Sequence, residues 1–244
     1  MTTVFATSPA LRLWSVMASS IASRARLLAL GALGLGAVLL GLSVRLANPT
    51  DRAGAAWSVV NGYGLSLLVP VVALVFASAS LGDPSEDGTL VYLWLRPLPR
   101  WQLALSAFAA SVTVVGPIAV APLVIGAALT GSGWRLVAGT AAGGMLATVA
   151  YSAVFCGLGL RVKRALAWGL AYLLIWEEAV ARVSHGAARV SLYVSTRSLA
   201  ASIAHHTPLP RNSVSSVTGL VLPLAVTVVA LAVTTRSLDR GEVT

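Results

Sequence analysis

The 244-residue chain is 57% hydrophobic and only 10% charged, whereas charged residues make up about a quarter of a soluble domain, so the composition excludes a water-soluble globule and implies an integral membrane protein. Its 17 basic and 8 acidic residues give a net charge of +9, but the basic side chains stand at the ends of apolar stretches instead of forming a stripe with aromatics, which argues against nucleic acid as a partner. Lys163 is the one lysine, a bias expected of a GC-rich genome, and the lone Cys156 rules out an intrachain disulfide and a cysteine metal site and reads as a small packing residue.

In chain order, residues 1–26 place Leu11, Leu13, Trp14, Met17 and Ile21 against Arg12, Ser15, Ser19 and Ser20. This spacing predicts a short cytoplasmic helix lying in the membrane interface, with a disordered leader as the alternative. The apolar run after Arg24 and Arg26 exceeds a signal-peptide core, so it is expected to remain as an anchor. Residues 27–244 then read as one all-α domain of six transmembrane helices, at 27–46, 58–81, 103–130, 135–160, 165–183 and 215–235. Each is long enough for a hydrocarbon core that takes about twenty helical residues. Pro70, Pro117, Pro122 and Pro223 fall inside spans, and the third and sixth are expected to bend.

Between the second and third spans, residues 83–102 (DPSEDGTLVYLWLRPLPRWQ) gather acids, bases and helix breakers. Asp83 is expected to cap a helix beginning at Pro84, with Glu86 and Asp87 in its first turn, where the helix dipole favours acids. Leu90, Leu93 and Trp94 give it an apolar face, and Pro97 and Pro99 stop it. The longest connection, 184–216, carries Val183, Ala187, Val190, Val194, Leu199 and Ile203 at helical spacing, which predicts an amphipathic helix or hairpin on the outer face. Pro208, Pro210 and Asn212 turn the chain back. With both termini inside, ten basic residues face the cytoplasm and seven face outward. The short loops decide the orientation: Arg161, Lys163 and Arg164 stand against Arg135 alone, so both termini are placed inside.

ATP hydrolysis within the chain is excluded, because a phosphate-binding loop ends in Gly-Lys-Ser or Gly-Lys-Thr and Lys163 lies between Val162 and Arg164. His185, His205 and His206 lack metal-ligand spacing. Gly131, Ser132 and Gly133 resemble a serine nucleophile loop only faintly, with no histidine inside a span to act as base. A secondary transporter commonly carries charges at mid-membrane for ion coupling, and these spans carry almost none. Ala37 with Gly41, and Gly139 with Gly143, form small-xxx-small pairs that suit either a dimer interface or contacts within the bundle. Glu177 and Glu178 sit near the outer end of the fifth span, where they mark either the water interface or a polar path, with Arg182 four residues after Glu178 as a possible partner.

The run Glu86, Asp87, Gly88, Thr89, Leu90, Tyr92, Leu93, Arg96, Pro97 and Arg100 resembles the cytoplasmic elbow of ABC transporter permeases of the type 2 exporter class. Arg164 and Ala165 open a span that ends in Trp176 and Glu177, as that family's fifth helix often does. The resemblance covers nearly the whole chain. It implies a coupling helix in which Asp83, Glu86, Asp87, Gly88, Thr89, Arg96 and Arg100 meet an ATPase, and a translocation path or outer gate at Glu177 and Glu178. It further implies two ABC ATP-binding subunits, a second permease chain and a bacterial plasma membrane. On this reading the chain binds no cofactor itself and is not an enzyme; ATP and magnesium belong to the partner. An apolar cavity suits lipids, hydrophobic drugs or peptides alike, as no ring of charges selects among them. The alternative is a non-transporting membrane scaffold or an intramembrane enzyme of another type.

Overall fold

The computed structural model describes residues 9–88, 99–180, 190–205 and 213–240, and every regular element among them is helical. Helix α1 (Pro9–Ile21) repeats Leu13, Met17 and Ile21 every four residues, and all three are buried while Ser15, Ser19 and Ser20 are exposed. Helix α2 (Arg24–Ala47) starts where the Ser23 hydroxyl accepts the Arg26 amide and stops at Asn48, which takes the left-handed conformation at φ 43°.

Asp51 caps the next passage by accepting the Gly54 amide at 2.8 Å. This passage is one rod in three parts: α3 (Arg52–Ser58), a π-helical stretch Val59–Leu68, and α4 (Val69–Glu86). The third passage repeats the pattern as α5 (Arg100–Val115), a π-helical stretch Gly116–Val120, and α6 (Ala121–Leu129). Both π stretches adjoin prolines, Pro70 in one case and Pro117 and Pro122 in the other. A proline supplies no amide to the ladder, and the wider turn shifts the register around the gap. Gly131 and Gly133, at φ 72° and 102°, then make the sharp reversal into α7 (Trp134–Arg161). Helix α8 (Ala165–Ala171) continues into a third π-helical stretch, Tyr172–Val180; α9 (Leu192–Ala204) and α10 (Ser216–Arg240) complete the chain.

Five helical stretches are long and apolar enough to cross a membrane: Arg24–Ala47, Arg52–Ser85, Arg100–Leu129, Trp134–Arg161 and Ser216–Asp239. The second and fourth are central, 78% and 61% buried within the chain, whereas the first and last are 28% and 22% buried. Accordingly Leu28, Leu35, Leu39, Val221, Val228 and Val229 are exposed on the outside of the bundle. In lipid, apolar surface gives helices no reason to associate, so close packing of small residues takes over. Gly159 lies on the backbone of Ser78, Gly82 lies on Gly159, and the Ser80 hydroxyl meets the Cys156 sulfur at 2.9 Å.

The ends of the bundle follow from a few contacts. Arg26 pairs with Asp83 at 2.8 Å and Arg161 Nε donates to the Ser237 hydroxyl at 2.7 Å, which with the Gly82–Gly159 contact gathers the start of α2 and the ends of α4, α7 and α10 at one end. Arg135 and His205 Nδ1, 3.0 Å apart, join the start of α7 to the end of α9 at the other.

Two expectations need correction, and one left open takes the intrachain alternative. Asp83 and Pro84 do not open a helix: both lie inside α4, which ends after Glu86, with Asp87 as its C-terminal cap and Gly88 at φ 67°. A proline three residues from a helix end removes one backbone bond and is tolerated, and the left-handed glycine supplies the stop. Pro99 serves as the N-cap of α5, with Arg100 as its first residue. Next, α9 is no amphipathic surface helix; Leu192 to Thr196 are all buried, and it is packed into the bundle against α7 and α10. Finally, the small-residue pairs face inward. Ala37 and Gly41 pack on Gly126 of α6, and Gly139 and Gly143 pack on Thr196, Ala200 and Ala204 of α9. All four are buried within one chain and present no surface to a second copy.

Of the predicted span 165–183, Ala165–Glu177 forms an apolar helical stretch shorter than the other five. The chain nevertheless has to return from the Arg161 end to the start of α10, where Gly219 meets the Ser195 carbonyl. It does so in two pieces: Ala165–Val180 rises from one end, and α9 carries on to the other.

Candidate functional site

The two pieces meet at Glu177, which is only 3% exposed. Its depth follows from the helix rise. Tyr151, ten residues before Arg161, lies roughly 15 Å up α7 at 1.5 Å per residue, in the middle third of that helix. Tyr151 stacks on Phe155 with ring centres 5.8 Å apart, Phe155 meets the edge of Tyr172 at 6.3 Å, and the Tyr172 hydroxyl reaches Glu177, which places the acid in that part of the bundle.

The first turn of α9 supplies the reason a carboxylate can be there. A helix leaves its first amides without internal partners and concentrates positive potential at that end. Here the Leu192 amide donates to Glu177 Oε1 at 3.2 Å and the Tyr193 amide to Oε2 at 3.3 Å. The Ser191 hydroxyl donates to Oε2 at 2.5 Å while accepting the Val194 amide at 3.0 Å, so one side chain caps the helix and binds the acid. The Tyr172 hydroxyl completes the set, donating to Oε1 at 2.9 Å. Four donors converge on two oxygens, the arrangement an acceptor-only carboxylate requires.

Further polar groups surround this node. The Tyr193 hydroxyl donates to Asn61 Oδ1 at 2.9 Å, and Arg197 lies over the Tyr193 ring at 5.2 Å from its centre. Asn61 and Glu177 both stand in π-helical stretches, whose shifted register is frequent at functional sites. On α7, Tyr151 is fully buried beside Glu177. Thr148 and Ser152, on the same face of α7 at helical spacing, are buried as well. The node can therefore hold a carboxylate and anchor the start of α9 inside the bundle.

Glu177 was legible as an unusual acid, but it does not mark the water interface; it is enclosed inside the bundle by a helix start that sequence spacing had assigned to the outer face. Glu178 follows it in the same π-helical stretch, and Arg182 lies outside the described residues. At the elbow, Asp83 pairs with Arg26 through side chains that are 46% and 32% exposed. Asp87 and Gly88 form the exposed end of α4 and Arg100 is half-buried at the start of α5. Thr89 and Arg96, with the rest of 89–98, lie outside the described residues, so the elbow sequence is described only at its two edges. Among the described residues no group of His, Cys, Asp and Glu suits a metal ion. Sequence reasoning missed Ser191, Tyr193, Tyr172, Tyr151 and Asn61. The available signals were tyrosines and an asparagine inside apolar spans, and a Ser-Leu-Tyr start to a helix. No family model and no curated protein matches the chain.

Proposed function

We propose that the chain is the permease subunit of an ATP-driven exporter of the ABC type 2 class, a multi-pass protein of a bacterial plasma membrane with both termini in the cytoplasm. On this reading it makes six membrane passages, the fifth assembled from Ala165–Val180 and α9, and α1 lies at the cytoplasmic interface. Two separate ATP-binding subunits supply hydrolysis with their own ATP and magnesium, docking on the elbow through Glu86, Asp87, Thr89 and Arg96, and a second permease chain completes the transporter. The observation that carries the reading is the Glu177 node: a half-helix that begins inside an otherwise apolar bundle, its amides and cap serine aimed at a buried acid. Half-helices whose starts face a polar group inside the membrane are a device of secondary transporters, and on this reading the permease uses the same device. The Glu177 tether forms the polar centre of such a path, and ATP-driven closure rocks the bundle between inward and outward openings.

The test is purification of the native chain in mild detergent. An ATP-binding subunit is expected to co-purify, and Glu86→Arg is expected to abolish that association while leaving membrane insertion intact, because reversing an interfacial charge costs several kcal/mol and weakens a complex by orders of magnitude. A stable complex with Glu86→Arg removes Glu86 from the interface. If no ATPase accompanies the unmodified protein, the scaffold reading replaces the transporter.

A further inference from the structure

A groove of about 500 Å³ runs between α7 and α10. Val154, Leu158, Val226, Val229 and Val233 line it, and Gly157 with two alanines of α10 leaves the space unfilled. It opens on the outside of the bundle, where Val229 is 61% exposed. Along α7 it extends from Val154 to Arg161, roughly 10 Å at 1.5 Å per residue. Its walls are aliphatic throughout, and its polar feature stands at one end, where Arg161 is exposed and both neighbouring spans terminate.

We propose that this groove binds an anionic phospholipid, taking the upper part of one acyl chain between α7 and α10 and the headgroup phosphate on Arg161. Three observations point to this occupant. The Arg161 guanidinium is oriented, because its Nε donates to the Ser237 hydroxyl at 2.7 Å, and among the described residues it pairs with no acid, Asp239 included. Lys163, Arg164 and Arg236 are exposed at the same end, so the groove mouth is basic. Basic pockets between membrane helices at the cytoplasmic side recognise anionic headgroups, each basic residue near the surface adding about fivefold in affinity. A second copy of this chain is the wrong partner on charge: it would bring another basic end, from a chain of net charge +9, against this one. The proposal rests on the orientation that places the Arg161 end in the cytoplasm and stands independently of the transport reading.

The experiment titrates the full-length protein in detergent micelles with dioleoylphosphatidylglycerol or dioleoylphosphatidylcholine and counts retained lipids by native mass spectrometry. The unmodified protein is expected to retain the anionic lipid at a concentration several-fold lower than the zwitterionic one. Arg161→Gln is expected to reduce that preference about fivefold and Arg161→Lys to keep most of it. Ala230→Phe, which fills the groove, is expected to weaken retention of both lipids, and Arg45→Gln, exposed at the opposite end of the bundle, to preserve the preference. If Arg161→Gln and Ala230→Phe both retain the anionic lipid as the unmodified protein does, the groove is not the site. If the protein is dimeric in micelles and Ala230→Phe makes it monomeric, a second copy occupies the groove and the lipid proposal is overturned. Should Arg161→Gln fail to fold, the Arg161→Lys and Ala230→Phe pair carries the same decision.

Discussion

Glu177 combines two demands that normally conflict, since an acid at mid-membrane costs roughly 2.5 to 3.5 kcal/mol on insertion scales and a buried helix start leaves amides without partners. Each satisfies the other here, through the Ser191, Leu192 and Tyr193 donors. Ser191→Ala removes both the cap on Val194 and the shortest bond to the acid, which predicts a loss of about 1 to 3 kcal/mol. Glu177→Gln replaces an acceptor-only carboxylate by an amide whose NH2 must face the donor-only backbone amides of Leu192 or Tyr193, which predicts a loss of similar size. Both should appear as lowered melting temperatures in micelles, beside an unchanged Ser202→Ala control, whose hydroxyl bonds the Leu199 carbonyl at the far end of α9. Melting of both variants at the wild-type temperature would show that the node does not anchor α9. The acid could be singled out from sequence because it interrupts an apolar run; its donors could not, because backbone amides carry no residue signature.

At the scale of elements, glycine and alanine decide which helices touch. Gly126 meets the backbone of Ala37 and Gly41, and Gly139 and Gly143 meet α9, so a larger side chain at Gly126 or Gly139 must push two backbones apart. Gly126→Leu and Gly139→Leu are each expected to cost about 1 to 3 kcal/mol or more, read as a fall in melting temperature, with the molar mass in micelles by light scattering unchanged. A change in molar mass at unaltered melting temperature would return these residues to an intermolecular interface. The small-xxx-small spacing identified the contact residues correctly, but spacing is the same for a helix within the chain and one outside it. The elbow shows a similar ambiguity. Asp-Pro is a good helix start and also fits a last turn, and the left-handed Gly88 settled the matter in favour of an end.

For the whole molecule, the charge count and the bundle agree on grouping: Arg26, Asp83, Arg161 and Ser237 meet at one end, and Arg135 and His205 at the other. In a Cys156→Ser background, single cysteines at Ser85 and Lys163 are expected to resist an impermeant thiol reagent in intact cells, while one at Ser213 is expected to react. Labelling at Ser85 in sealed cells would invert the orientation. Membrane character, helical class and five of the long apolar helices were determined by the sequence itself, since a run of about twenty apolar residues is a local property that hydrocarbon reads residue by residue. Which end each helix shares with which, the inward use of the small residues, and the insertion of α9 into the bundle were decided only by tertiary structure. Val194 and Ile203 repeat at helical spacing whether a helix lies on a membrane or inside a bundle. What drew α9 inward was the meeting of its first amides with one carboxylate, Glu177, a contact between residues that the sequence keeps more than a dozen positions apart.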